Sequence, residues 1–233
     1  MKFHKPCAIF LLALVCAAPT RAADDKGAVQ DWPNLGAYRA RNALLAPPAP
    51  GEQRVVFMGD SITEFWSPEF FKNPRYINRG ISGQTTPQML LRLRADVIDL
   101  HPAAVVILAG TNDIAGNTGP ASNETIEGNI ESMAELAQVH GIQVVLCLLV
   151  PANAYPWSPS LKPAPTIIDL NRRIRAYAER HRLTLVDYYT PMVDDRLGLR
   201  REYSGDGVHP NAAGYRVMIE RVEPAIAAAL AAR

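Results

Sequence analysis

The chain has 233 residues, of which 48% are hydrophobic, and its 24 lysine and arginine residues nearly balance 23 aspartate and glutamate residues. This length and apolar content favour one sizeable core over two domains, because single α/β domains of about 200–250 residues are ordinary. The balanced charge gives no electrostatic case for a nucleic-acid-binding protein.

Residues 1–22 have the pattern of a secretory signal peptide. Two lysines precede an apolar run at residues 8–18, and small residues follow at the positions that a signal peptidase recognises. An uncleaved anchor is less favoured, because the run is well short of the roughly 20 apolar residues that a membrane-spanning helix needs. A lipoprotein signal ending at Cys16 is a weaker alternative, since the bulky Val15 precedes it. We therefore expect an exported protein, periplasmic or secreted, without stable membrane insertion.

Residues 23–54 are expected to form a polar leader and a linker. Asp31 or Asn34 is placed to cap a short helix, after which a proline-rich stretch makes a stiff connector into the first strand. Residues 55–233 then form the one folded domain.

Five short runs of apolar or β-branched residues alternate with segments of helical periodicity. The runs lie at residues 55–59, 76–80, 104–109, 142–150 and 183–187. Such alternation favours a parallel sheet with helices on both faces and right-handed connections. The last helix starts near Asn211 and is expected to bend or break at Pro224. We therefore predict an α/β fold, a three-layer α/β/α sandwich around a five-stranded parallel sheet.

The first of these runs stops abruptly at Gly59-Asp60-Ser61. If a helix follows, the Ser61 hydroxyl lies at the mouth of a strand-to-helix turn, where free N–H groups favour developing negative charge. This position suits a nucleophile. The alternative is that Asp60 and Ser61 are only a turn and N-cap pair, and the tripeptide alone does not decide between them.

Other polar residues are expected at the same edge of the sheet. Ser61, the turn at Gly83 and Asn112 all follow strand ends, where parallel sheets bind ligands. His209 is the candidate base, because Asp206 lies three residues earlier and can accept a hydrogen bond from the imidazole. A nucleophilic hydroxyl needs both a neutral imidazole and an anion that holds the imidazolium. The alternative is an aspartate turn followed by a histidine at a helix start.

Together these motifs resemble the SGNH hydrolases, also called the GDSL family of esterases and lipases. Four blocks follow the family's order within residues 55–215: Gly59-Asp60-Ser61, Gly83, Gly110-Thr111-Asn112-Asp113 and Asp206-Gly207-Val208-His209. The sequence around Ser61 is more similar to the platelet-activating-factor acetylhydrolase-like and lysophospholipase L1-like branch than to the plant lipases. The resemblance implies a five-stranded flavodoxin-like sandwich and an SGNH hydrolase domain at residues 55–233.

The resemblance also implies a role for each site residue. Ser61 is the implied nucleophile, His209 the base and Asp206 its orienting carboxylate. The backbone N–H groups of Ser61 and Gly83, with the side-chain amide of Asn112, are the implied oxyanion hole. These residue types predict a serine ester hydrolase that acts through an acyl-enzyme.

No cofactor or metal is expected. A metal site built on Asp206 and His209 would need further ligands, and no other histidine or cysteine cluster accompanies them. An α/β-hydrolase elbow requires glycine two residues after the serine, where this chain has Thr63. The chain also lacks the glycine-rich fingerprints of Rossmann and P-loop nucleotide-binding proteins.

The expected partner is a small-molecule or glycan ester, and the oligomeric state is not determined by the sequence. We expect short acyl esters such as O-acetyl groups of carbohydrates, because no long apolar insertion beside Ser61 offers an acyl groove. A lysophospholipase or thioesterase for longer chains is the alternative, and a non-catalytic exported glycan- or lipid-binding protein is the alternative of another class. Tyr155 and Trp157 are placed to stack on a sugar, to line an acyl groove or simply to pin their loop to the core.

Overall fold

A computed structural model describes residues 31–232, besides Met1. The rest of the predicted signal peptide and residues 23–30 of the leader lie outside the described residues, so export and the domain boundaries stay predictions. Within the described part of the chain, every helix is too short or too polar to cross a membrane.

Five parallel strands form one sheet, as predicted. They are β1 (Val55–Gly59), β2 (Tyr76–Gly80), β3 (Ala104–Leu108), β4 (Gln143–Cys147) and β5 (Thr184–Val186). Their order is β2-β1-β3-β4-β5, with all four pairings parallel. The chain therefore runs from β1 outward to β2 and then back across to β3. Ligands bind such sheets beyond the carboxyl ends of the strands at this reversal, between β1 and β3.

Helices cover both faces of the sheet, which confirms the three-layer sandwich. They are α1 (Arg39–Leu44), α2 (Ser61–Glu64), α3 (Thr86–Asp96), α4 (Thr111–Ile114), α5 (Asn123–Val139), α6 (Ala164–His181), α7 (Tyr189–Met192) and α8 (Ala212–Ala231). Val56 and Met58 of β1 pack with α3, α5 and α6, whereas Val55 and Phe57 pack with α8. Because side chains alternate between faces, a strand covered on both sides is apolar throughout, and β1 is buried along its whole length.

Two local expectations differ from the structure. The expectation of a break at Pro224 is wrong, whereas a bend there stays a prediction. α8 runs from Ala212 to Ala231 with Pro224 inside it, because its apolar face stays packed on the sheet on both sides of the proline. The first helix begins only at Arg39. The Asp31 carboxylate instead accepts hydrogen bonds from the N–H groups of Leu35 and Gly36, at 2.8 and 2.7 Å, and so stabilises a turn before the helix.

The close approach of α2 to the sheet depends on glycine at two strand ends. Gly59 and Gly80 are the last residues of β1 and β2 and are paired in register. A Cβ atom at Gly80 would lie 2.2 Å from the backbone nitrogen of Glu64 and 2.8 Å from the carbonyl oxygen of Asp60. A Cβ atom at Gly59 would lie 2.1 Å from the hydroxyl of Thr63. The absence of these atoms lets the backbone of α2 rest directly on the sheet.

We predict that Gly80→Ala lowers the free energy of unfolding by about 3 kcal/mol, because backbone atoms on both sides would have to move. Gly128→Ala is the matched control, since its Cβ in α5 would meet no heavy atom within 4 Å. That variant should gain up to about 1 kcal/mol from helix propensity. Urea unfolding of both variants tests this, and a Gly80→Ala protein as stable as wild type would contradict the close packing of α2.

Candidate active site

Ser61 is the first residue of α2 and lies two residues after the carboxyl-terminal Gly59 of β1. The N-cap is Asp60, whose Oδ1 accepts a hydrogen bond from the N–H of Ile62 at 2.9 Å. Asp60 therefore does cap the turn, as the alternative interpretation of the tripeptide held. The Ser61 hydroxyl has no part in that cap and borders an open cavity.

The three residues predicted to act together form one hydrogen-bonded line. Oγ of Ser61 lies 2.9 Å from Nε2 of His209, and Nδ1 of His209 lies 2.6 Å from Oδ2 of Asp206. Ser61 and His209 are 148 residues apart in the chain. The fold therefore brings Asp206 and His209, which the sequence predicted as a pair, to the Ser61 hydroxyl.

The Asp206 carboxylate is held by its own turn. Its Oδ1 accepts hydrogen bonds from the N–H groups of Val208 and His209, at 2.9 and 2.8 Å, and from the Ser204 hydroxyl at 3.1 Å. Partial burial raises the pKa of Asp206, but the hydrogen bonds from His209 and Val208 outweigh it and hold the pKa well below its ordinary value. The ionised carboxylate can only accept, so the His209 proton lies on Nδ1 and leaves Nε2 as the acceptor facing Ser61.

Asn112 and Gly83 lie beside this line, at the ends of β3 and β2. The Asn112 side chain is buried, and its amide nitrogen donates to the carbonyl of Gln84 at 3.0 Å and more distantly to Oδ2 of Asp60 at 3.4 Å. Gly83 has φ +76°, a left-handed backbone conformation that side chains disfavour, which explains glycine in this turn. Asn117 bridges the two, donating to Oδ1 of Asn112 at 3.0 Å and to the carbonyl of Gly83 at 3.2 Å.

Two residues that support the site, Asn117 and Glu64, could not be recognised from the sequence. Asn117 is one asparagine in a polar loop, and its bridge depends on residues from two separate strand ends. Glu64, the last residue of α2, accepts hydrogen bonds from both the backbone N–H and the hydroxyl of Ser82, the first of these at 2.7 Å. Glu64 thereby ties the helix that carries Ser61 to the turn that carries Gly83.

The cavity at this edge has a volume of about 290 Å³. It is lined by Ser61, Phe65, Ser82, Gly83, Asn112, Asn117, Trp157 and His209. None of these described lining residues is acidic, and none is lysine or arginine. A larger hollow of about 490 Å³ near Tyr76 and Glu223 contains none of the predicted site residues. Cavity volume alone therefore does not identify the candidate site.

Buried carboxylates lie under the site. Burial raises the pKa of Asp60 to about 6, and the negative charge of Asp113 also raises it. The hydrogen bond from the N–H of Ile62 and the charge of the His209 ring act in the opposite direction. Asp113 accepts hydrogen bonds from the N–H and hydroxyl of Thr86 and so joins α4 to the start of α3. Within residues 31–232, no group of three metal-ligating side chains is close enough to hold a metal ion.

A sequence model of the GDSL-like lipase/acylhydrolase family matches residues 57–217 of this chain. A GDSL-like lipase from Bacteroides thetaiotaomicron, known from a crystal structure, is 49% identical in sequence. Its structure matches this one with a TM-score of 0.83, over 85% of this chain and 99% of that chain. The similarity therefore extends over nearly all of the described residues.

Three curated relatives are enzymes in their own organisms. Esterase TesA of Pseudomonas aeruginosa is 30% identical over 65% of this chain and 69% of its own length. The acetylxylan esterase of Xylanibacter ruminicola is 25% identical over 79% of this chain but only 46% of its own length. The human platelet-activating factor acetylhydrolase IB subunit alpha2 is 31% identical over 42% of this chain and 43% of its own length.

We predict a pH-dependent stability gain for Asp60→Asn. Because the folded chain holds the Asp60 proton more tightly than an ordinary aspartate of pKa 3.8 does, this group loses stabilising free energy as pH rises through about 4 to 6. Asparagine does not ionise, so the variant has no such pH-dependent loss. The difference in unfolding free energy between the variant and wild type should therefore shift in favour of the variant by on the order of 3 kcal/mol between about pH 4 and pH 7. Urea unfolding of both proteins at four pH values measures this difference. A difference that does not change with pH would contradict the raised pKa of Asp60.

Proposed function

Because the chain belongs to the GDSL-like lipase/acylhydrolase family and is an ester hydrolase, we propose that it acts through an acyl-enzyme on Ser61 and prefers short acyl esters, foremost O-acetyl groups of carbohydrates. The observation that carries the proposal is the line of hydrogen bonds from Asp206 through His209 to the Ser61 hydroxyl. Family membership also favours an enzyme over a non-catalytic binding protein.

In the first half-reaction, Oγ of Ser61 attacks the ester carbonyl carbon while Nε2 of His209 takes the hydroxyl proton. The separation of 2.9 Å is within hydrogen-bond reach for this transfer. Asp206 holds Nδ1–H and stabilises the imidazolium that forms. His209 then gives the proton to the leaving alcohol oxygen as the carbon–oxygen bond breaks, and the acyl group stays on Ser61.

The carbonyl oxygen becomes an oxyanion in this step. We assign its stabilisation to the backbone N–H groups of Ser61 and Gly83 and to the amide of Asn112, because donors placed before the reaction cost no reorganisation. One Asn112 N–H faces Asp60 at 3.4 Å, which is a long and weak hydrogen bond. A developing oxyanion in the cavity competes well for that N–H, whereas the bond to the Gln84 carbonyl keeps the side chain oriented.

In the second half-reaction a water molecule replaces the alcohol. His209 takes a proton from the water as its oxygen attacks the acyl carbon, and then returns the proton to Ser61 as the carboxylic acid leaves. The same three residues thus serve both halves, and neither half uses a group from outside the chain except water.

The acyl preference rests on the size and lining of the cavity. About 290 Å³ is near the lower limit of ligand pockets, and the residues beside the assigned oxyanion donors are the short, polar Ser82 and Asn117. A long acyl chain gains about 0.8 kcal/mol per methylene only where a groove buries it. A relative named for acetylxylan further supports an acetyl ester of a carbohydrate as the substrate.

We predict that a fluorophosphonate probe modifies wild type at Ser61 and leaves Ser61→Ala unlabelled, because only a hydroxyl with an adjacent base is activated. Ser82→Ala is the matched control, since Ser82 lines the same cavity. Peptide mass spectrometry identifies the modified serine. Labelling of Ser61→Ala, or modification of Ser82 instead of Ser61 in wild type, would move the nucleophile away from Ser61.

The acyl preference is tested with p-nitrophenyl esters from C2 to C16, measured below their micellar limits. We expect kcat/KM to fall beyond C4, because the short, polar Ser82 and Asn117 border the assigned oxyanion donors and offer the added methylenes little apolar surface. A steady several-fold rise per two carbons beyond C6 would instead establish a long acyl site, as the lysophospholipase or thioesterase alternative requires.

A further inference from the structure

Two large aromatic side chains at the cavity mouth have no function in the chemistry described above. Phe65 follows α2 and is 56% exposed, and Trp157 lies in the loop after β4 and is 44% exposed. Their ring centroids lie 5.7 and 6.1 Å from that of His209. Both rings therefore border the imidazole, and about half of each side chain faces solvent.

The exposure of Phe65 contrasts with its neighbours. Trp66 is buried, Phe70 and Phe71 are partly buried, and all three pack around Phe57. An aromatic side chain can bury about 150–250 Å². Phe65 forgoes much of that burial, although the core next to it is built from the same residue types.

Trp157 is held in a fixed orientation. Its ring stacks on that of the fully buried Tyr155, with centroids 5.1 Å apart and an interplanar angle of 13°. A ring supported in this way loses little conformational entropy when a ligand covers its exposed surface. Of the functions that the sequence suggested for this pair, Tyr155 pins the loop to the core, whereas Trp157 faces the cavity.

The chemistry of the reaction decides which part of the ester these rings meet. His209 delivers its proton to the leaving oxygen, so the alcohol half of the ester lies next to the imidazole. The carbonyl oxygen faces Gly83 and Asn112, the assigned oxyanion donors, and the carbonyl carbon faces Oγ of Ser61. Since Phe65 and Trp157 border His209, they contact the alcohol and not the acyl group.

The same surroundings define the class of alcohol. The described lining residues carry no lysine, arginine or acidic side chain, so nothing there pairs with a charged head group. An alkyl chain gains affinity through complete burial, whereas these rings lie at an open mouth. A sugar ring presents C–H groups on one face and keeps its hydroxyl groups in water, which fits half-exposed aromatic rings.

We infer that Phe65 and Trp157 form an alcohol subsite that stacks on the ring of a neutral sugar. This inference rests on the proposed acyl-enzyme mechanism at Ser61 and adds the group from which the acyl chain is removed. The two aromatic side chains then act on acylation, in which the alcohol is present, and not on hydrolysis of the acyl-enzyme.

The test compares three acetate esters, which all give the same acetyl-enzyme. They are ethyl acetate, cyclohexylmethyl acetate and a mono-O-acetylated methyl β-xyloside. We expect Trp157→Ala and Phe65→Ala each to lower the ratio of kcat/KM for the sugar acetate to that for ethyl acetate by about tenfold. The ratio of kcat/KM for cyclohexylmethyl acetate to that for ethyl acetate should fall much less in both variants.

Trp32→Ala is the matched control, because Trp32 is 43% exposed and does not line the cavity. Its ratios should equal those of wild type, and thermal unfolding confirms that each variant is folded. Unchanged ratios in Trp157→Ala and Phe65→Ala would overturn the subsite while leaving Ser61 chemistry intact. An equal loss with cyclohexylmethyl acetate would overturn the sugar assignment, whereas a wild type inactive on all three esters would contradict the proposed function itself.

Discussion

The site depends first on how closely α2 approaches the sheet. Gly80 has no side chain, so the backbone of residues 60–64 rests on the end of β2, and Ser61 is fixed at the carboxyl end of β1. Glu64, at the other end of this short helix, holds Ser82. One turn of helix thus sets the distance between the Ser61 hydroxyl and the turn at Gly83.

A buried guanidinium supports the same region from below. Arg92 of α3 is fully buried, pairs with Asp96 at 3.1 Å and donates to the carbonyl of Gly59 at 3.0 Å and to the side-chain oxygen of Gln84. An uncompensated buried charge costs several kcal/mol, so these partners are strongly constrained. Because the Gln84 carbonyl accepts the Asn112 amide, the arginine orders the turn that orients Asn112.

The sequence by itself determined most of the architecture and indicated which residues meet in the candidate site. The five strands follow from apolar runs, because a strand covered on both faces must be apolar throughout. Strand ends in a parallel sheet share one edge, so Ser61, Gly83 and Asn112 were predictable as neighbours. Asp206 and His209 were predictable as a pair because the turn between them is local and is completed by hydrogen bonds within residues 204–209.

Only the tertiary structure decided the partners of Asn117 and Glu64, the partners of the Asn112 amide, and the outward direction of Phe65 beside the inward Trp66. Each of these depends on atoms contributed by separate strand ends, and local residue types do not report such distances. Two adjacent aromatic residues carry the same apolar signal in a sequence. Which of them enters the core is decided by the space that the packed sheet and helices leave.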